Sequence, residues 1–322
     1  MSLKAALLQF LAAVVGLYIA YAYLLRFERQ IIAGLELHGD KRWGFLWPLV
    51  DVARALTKRG VTLTAVPSRL CLGAPLLTLG ASMAALVAVP LGPLMIRGQR
   101  ISLGIRDVPF SLWLPFVLDW IALFGPLWSA RCCPWPYLRR ESGEMVFQAL
   151  LYSVPSLLSL GGVVVLSSSF DLQEIVISQR RGLPYLVYQP LGLLVFTLST
   201  LLGGRRLPYR LPQEKDLVLG DFYIQHAGSV EAVYHLAQYL HLLLVGALIS
   251  TIYLAGWYGP WYAGPHWLMA KVILVTAGLL WARHRLLPYL HRRWEGEMWR
   301  LCTLLALFNT LLTILLVVWG SP

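Results

Sequence analysis

The sequence predicts an all-α integral membrane protein with about eight transmembrane helices and a cytoplasmic-side amphipathic helix in its first loop. Three observations carry that prediction. First, 58% of the 322 residues are apolar and only 13% are charged. A typical soluble domain carries about 25% charged residues, so the chain lacks the polar surface to cover a water-soluble particle. Second, apolar runs of about 18 residues or more recur, each long enough to cross the roughly 30 Å of bilayer hydrocarbon as a helix. Helices satisfy their own backbone hydrogen bonds, which lipid cannot do for them. Third, the basic residues segregate between alternate loops, as membrane topology demands.

The runs place spans near 3–25, 72–95, 108–129, 145–167, 184–203, 233–257, 266–283 and 299–319, forming one membrane domain over residues 1–322. The first run resembles a signal peptide, but it is too long to be one, so it reads as a span. Lys271 interrupts the seventh. Between the first two spans, residues 45–59 read as an interfacial amphipathic helix. Leu49, Val52, Ala53 and Leu56 form its apolar face, and Asp51, Arg54 and Lys58 the polar one. Such a helix lies in the membrane plane. The fifth loop, 204–232, gathers Arg205, Arg206, Arg210, Glu214, Lys215, Asp216, Asp221 and Glu231. Large mixed-charge loops of this kind suit the docking of another subunit; ordinary solvated loops are the plainer alternative.

Orientation follows from charge. With Arg283 and Lys4, at the edges of their spans, counted with the flanking segments, the odd-numbered loops hold 19 Lys or Arg, while the N-terminus, even loops and C-terminus hold 6. By the positive-inside rule the odd loops are cytoplasmic and both termini face the other side. The net charge of +11 is therefore a topology signal, and no nucleic-acid partner is needed to explain it. The surroundings implied are a lipid bilayer, most simply a bacterial inner membrane.

Cys71, Cys132, Cys133 and Cys302 show no C-x-x-C spacing, so they read as packing thiols without a disulfide framework or a metal site. The seven histidines form no H-E-x-x-H, and neither a phosphate loop nor a G-x-S-x-G elbow occurs. The chain is expected to bind no cofactor of its own.

Three stretches resemble the H-subunit family of respiratory complex I, the NADH–quinone oxidoreductase. The first is Glu28-Arg29 followed by G-F-L-W-P-L-V-D-V-A-R-A-L at 44–56 and Lys58. The second is R-R-L-P-Y-R-L-P at 205–212, leading through Gly228 to L-A-Q-Y at 236–239 and L-A-G-W at 254–257. The third sets Lys271, Trp281, Arg283 and Trp299 before A-L-F-N at 306–309. The resemblance implies a heel subunit between membrane arm and hydrophilic arm, with the first span, the loop-one helix, the sixth span and loops one and five walling a quinone chamber. It implies quinone as the substrate of the complex. It also implies other membrane-arm subunits and hydrophilic subunits carrying iron–sulfur clusters as partners. On this resemblance the quinone-chamber residues are Glu28, Arg29, Arg42, Asp51, Arg54, Arg206, Asp216 and Asp221. The roles of Asp216 and Asp221 rest on neighbourhood alone.

The sequence departs from the family in charge. Where the family has glutamates, this chain has Gln238 in L-A-Q-Y and Gln148 in the fourth span. Gln225 stands before Gly228, and Gly203 stands ahead of Arg206. D-L-P-E-A-E becomes R-L-P-Q-E-K at 210–215, the loop-one turn is shortened to H-G-D-K-R-W-G at 38–44, and Arg292 and Arg293 replace an R-Y-D-Q segment. An amide cannot take up and release a proton near neutral pH, whereas a buried carboxyl can. Two remaining acids are candidates to compensate. Asp119 lies about 11 residues, roughly 17 Å, into the expected third span. Glu144 stands one helical turn before Gln148. The two are expected to approach each other between the third and fourth spans. Otherwise Glu144 is a solvated acid at a helix end. With Tyr239 and His241 of the sixth span they make up the expected proton path. His235 and His241 otherwise serve packing. Two alternatives to the complex I reading stay open: an anchor subunit of a membrane-bound hydrogenase or formate hydrogenlyase complex, and a structural anchor that no longer couples proton transfer.

Overall fold

A computed structural model describes residues 22–28, 30, 50, 52–54, 57, 69–96, 99–103, 110–132, 136–180, 182–204, 229–260, 263–285 and 297–320. Residues 22–28 are helical, and so are 50, 52–54 and 57 in the expected interfacial helix. There Val52 is buried, while Val50, Ala53 and Arg54 are exposed. Ala53 therefore lies off the apolar face assigned to it.

The long elements are α1 (Arg69–Val87), α2 (Leu114–Cys132), α3 (Pro136–Ser167), the short α4 (Leu172–Ser178) and α5 (Tyr185–Tyr188), α6 (Pro190–Leu202), α7 (Ser229–Ile252), α8 (Pro265–Arg285) and α9 (Met298–Gly320). Within α3, α7, α8 and α9 lie four helices long and apolar enough to cross a membrane, with shorter apolar helices at Gly73–Val87 and Pro190–Leu202. This is an all-α membrane fold with one small addition. The run expected to span 72–95 stops at Val87. Pro90, Gly92 and Pro93 cannot extend it, and the chain turns into an antiparallel hairpin of β1 (Gly92–Ile96) and β2 (Gln99–Leu103). Gly92 has φ +88 and lies against the Trp257 ring, so a side chain there would meet both strain and indole.

Other boundaries also move for local reasons. Helix α2 begins at Leu114, after a turn in which Phe110 has φ 66. Asp119 is thus only five residues, about 7.5 Å, inside its helix. Helix α3 starts nine residues earlier than expected, at Pro136, where Pro suits a first helical position. The expected third loop is therefore largely helix, and Arg139, Arg140 and Glu144 lie on it. The expected 184–203 span is two pieces, α5 and α6, broken at Gln189–Pro190. Helix α4 is set by Asp171, whose carboxylate accepts from Gln173 N at 3.0 Å and from Ser111 Oγ at 2.6 Å. Cys132 is disulfide-bonded, with its partner outside the described side chains. That corrects the expectation of four packing thiols; Cys302 is free and buried.

Helix α7 is the axis of the bundle. It packs on α1, α8, α4 and α6, and 78% of its apolar window is buried against 22% for those of α8 and α9. A helix apolar all round belongs inside. The outer stripe of α9 (Leu304, Leu307, Phe308, Leu311, Leu315 and Val318) is exposed, as a lipid-facing surface requires. Small residues let the helices close. A Cβ on Gly125 of α2 would overlap the Thr78 hydroxyl of α1, and one on Gly246 of α7 would overlap Thr276 of α8.

Two polar staples hold the far end of α7. Gln179 Nε2 donates to the carbonyls of Ile175 at 3.1 Å and Ile252 at 3.1 Å, while its Oε1 accepts from Tyr185 N and Ala255 N, each at 3.1 Å. Lys271, inside α8, donates from Nζ to the carbonyls of Leu254, Gly256 and Tyr258 at 2.6, 2.9 and 2.6 Å. The lysine that interrupts the apolar pattern is thus the cation that closes the turn after α7, where helix carbonyls run out of intrahelical partners.

Candidate functional site

Polar chemistry concentrates on one stretch of α7, from His235 to His241. A helix turns 100° per residue, so these side chains address three neighbours at once. Tyr239, 1% exposed, donates its hydroxyl to Glu28 Oε2 in the helical segment 22–28. Glu28 is itself 4% exposed, and its Oε1 accepts from His284 Nε2 at 2.9 Å at the end of α8. Three elements distant in sequence thereby converge on one buried carboxylate. A buried charge persists only when its oxygens are paired, and both oxygens of Glu28 are.

About half a turn further along α7, His241 Nδ1 lies 3.0 Å from Asp119 Oδ1 on α2. The pair opens onto a cleft between α2, α3, α6 and α7, lined by Asp119, Tyr152, Ser153, Ser156, Ser199 and His241 among others. A second cleft between α6, α7 and α8 is lined by Thr200, Gln238, His241, Val245 and Arg283 with Leu201, Gly204 and Leu242. Thr200, His241 and Val245 belong to both, so the imidazole stands in the wall between them. Gln238, His241 and Val245 recur at i, i+3 and i+7, which puts them on one helix face. Gln238 and Arg283 are buried, at 7% and 8% exposed.

Of the residues expected from sequence, Glu28 meets Tyr239, and Asp119 meets His241. Glu144 is exposed and bonded to Arg140 Nε at 2.8 Å one turn before it. It lies five residues, about 7.5 Å of helix rise, before Ala149, the first α3 residue lining the Asp119 cleft. Gln148 donates to the carbonyl of Leu202 at 3.3 Å and so closes the end of α6. Arg54 is exposed. Arg29, Arg42, Asp51, Arg206, Asp216 and Asp221 lie outside the described residues. Sequence reasoning missed His284. Its signal was its place beside Arg283, at the end of the seventh apolar run, where a cation suits the helix dipole. Among the described residues, no three His, Cys, Asp or Glu side chains come together as a metal site.

Comparison with known proteins matches residues 8–314 to the model of the family described as NADH dehydrogenase. The first of the NADH-quinone oxidoreductase H subunits of Geobacter metallireducens is 27% identical over 315 residues, covering 96% of this chain and 94% of that protein. The H subunit of the same oxidoreductase from Thermomicrobium roseum is 27% identical over 313 residues, 93% and 92% of the two chains. The second H subunit of Cereibacter sphaeroides is 32% identical over 291 residues, 89% of each.

Proposed function

This chain belongs to the NADH dehydrogenase family, and from that premise we propose that it is the membrane heel subunit of a complex I-like NADH–quinone oxidoreductase, walling part of the quinone chamber and anchoring the hydrophilic arm. The coarser statement, a membrane subunit of complex I, rests on relatives named as H subunits of that oxidoreductase, which cover nearly the whole chain. The finer one is carried by Glu28, a buried carboxylate reached by Tyr239 and His284 from two other helices. A phenol, an imidazole and a carboxylate in hydrogen-bond contact can donate to a quinone carbonyl and resupply the proton. The partners are other membrane-arm subunits and hydrophilic subunits carrying iron–sulfur clusters, with quinone as substrate of the complex and no cofactor bound by this chain. Odd loops on the cytoplasmic side of a bacterial inner membrane would set those subunits against loops one and five. Arg131, Arg139 and Arg140 at the α2–α3 junction, and Arg283 and Arg285 at the end of α8, sit at helix ends assigned to that side. Arg29, Arg42, Asp51, Arg54, Arg206, Asp216 and Asp221 remain proposed chamber residues by resemblance. Glu144 is proposed as a surface acid at the mouth of the proton path.

Membranes holding the assembled complex test this. His284→Gln should raise the quinone KM by about tenfold, the worth of one hydrogen bond to a charged group, while NADH oxidation by ferricyanide is unchanged. An unchanged quinone KM would remove the cluster from the chamber; failure of the chain to copurify with redox subunits would remove the heel reading altogether. One observation favours a second reading, an anchor without proton coupling: Gln148 and Gln238 are amides, and Gln148 serves as a backbone cap. A normal quinone reductase rate with no proton translocation would select it.

A further inference from the structure

We propose that Asp119 and His241 act as one proton-carrying unit one turn along α7 from the non-titrating amide of Gln238, with His241 exchanging protons between the two clefts it separates and Asp119 orienting its ring. The inference rests on the heel reading for its coupling to electron transfer, though not for its geometry.

The geometry has three parts. His241 follows Gln238 by three residues on the same face of α7, so the imidazole stands one turn, about 4.5 Å of rise, from the amide. The Asp119 carboxylate reaches that turn from α2 at 3.0 Å, returning a negative charge to a level of α7 at which the helix itself carries none. The ring also lines both clefts, a position no other titratable side chain shares among the described residues. Among the described residues the packed neighbours offer few competitors. Helix α3 contributes Tyr152 to the first cleft, and α8 contributes Arg283 to the second. Helix α1 between 73 and 87 and helix α6 carry no titratable group. Helix α4 keeps Asp171 and Glu174 on Ser111 and Ser169. On α7, Tyr239 is engaged with Glu28, and His235 lies 3.5 Å from Glu231.

The proton balance is simple. With Nδ1 directed at the carboxylate, a neutral imidazole takes a proton on its second nitrogen and becomes imidazolium against Asp119. It returns to neutral by releasing one proton. Gln238 cannot do this, since an amide neither gains nor loses a proton near neutral pH. Asp119 is the positioning residue and His241 the carrier, as in other imidazoles whose tautomer a carboxylate fixes.

The test uses the assembled complex in sealed membrane vesicles, reading NADH oxidation and proton uptake separately. His241→Gln should cut coupled proton uptake by roughly a hundredfold, the lower edge of what a positioned acid–base group contributes, while ferricyanide reduction persists. Asp119→Asn should do the same. Adding Gln238→Glu to Asp119→Asn should restore uptake, because it returns a titratable carboxylate to that turn of α7; a purely structural role for Asp119 would not be rescued this way. Parent-level uptake in either single variant overturns the proposal, and so does failure of Gln238→Glu to rescue an assembled Asp119→Asn complex. Should Asp119→Asn fail to assemble, infrared titration of parent against His241→Gln decides it. An imidazole band that titrates with the carboxyl band of the pair supports the proposal, and its absence overturns it. Loss of quinone reduction in the parent itself would instead sink the heel reading and leave the infrared result standing.

Discussion

Replacing Lys271 with methionine removes an ammonium and keeps most of the apolar stem. In the parent, Nζ donates to three carbonyls of the turn after α7, at 2.6, 2.9 and 2.6 Å. Hydrogen bonds from a charged donor are worth about 1.5–3 kcal/mol each, so three at the lower edge sum to about 4.5 kcal/mol. Lys271 is half-buried, and water or lipid headgroups reach part of the vacated site. The net loss expected is therefore about 2–3 kcal/mol, or a fall in unfolding midpoint on the order of 5 °C. Lys271→Arg should recover less than half of it, because a planar guanidinium cannot aim three donors at carbonyls converging on one point. Thermal unfolding of the detergent-solubilised complex, followed by intrinsic tryptophan fluorescence, measures both. A Lys271→Met complex with the parent's midpoint but a collapsed turnover would refute the reasoning, since it would make the ammonium a working charge and not a cap.

Two further substitutions probe the packing around the site. Gln179→Leu leaves the amides of Tyr185 and Ala255 and the carbonyl of Ile252 without their bridging side chain, and at about 1 kcal/mol or more per stranded buried group it should lower the midpoint further than Lys271→Met; a parent-like midpoint would mean the α4–α7 junction holds without it. Gly125→Leu must push α2 off α1, because even a Cβ overlaps Thr78 and comes within 2.7 Å of the Ala74 carbonyl. It should cost at least about 3 kcal/mol as overpacking and reduce assembled complex on native gels, whereas Gly80→Ala, with nothing within 4 Å, should be silent.

How much of this was legible in the sequence depends on the kind of signal. Apolar run length reports how far a helix can extend, and it located α7, α8 and α9 closely. It says little about where a run stops for backbone reasons. Pro90, Gly92 and Pro93 end α1 and start a hairpin although hydropathy stays high to Ile96. Gln189–Pro190 splits a run that composition shows as continuous. Helix α3 ran the other way: Arg139, Arg140 and Glu144 lower hydropathy without breaking a helix, so the element begins nine residues before its apolar part. For the site, family spacing pointed to Glu28 and Tyr239, and depth in the membrane pointed to Asp119. Their partners were not legible. Pairing Asp119 with His241, and Glu28 with His284, depends on which helices cross at that level, and a single sequence does not encode the crossing. The expected association of Asp119 with Glu144 followed chain neighbours α2 and α3; the Asp119 carboxylate bonds to α7, the central helix.

The buried and half-buried charges sort into two kinds by what accepts them. Lys271 gives its protons' hydrogen bonds to backbone carbonyls, which stabilise the cation and cannot take a proton from it, so the arrangement is a fastener. Glu28 and Asp119 bond instead to a phenol and two imidazoles, groups that exchange protons themselves. The cost of burying a charge is met in both cases, but only the second kind leaves the charge able to move. That division lets the chain hold an amide at Gln238 and still keep ionisable chemistry on α7. In the proposed unit a carboxylate from α2, one turn along from that amide, supplies a proton site through a histidine that lines two clefts. A substitution that puts a permanently protonated cation in the pair should keep the fold and lose the coupling. His241→Lys, with its ammonium held against Asp119, is the sharpest version of that distinction within the His241 test.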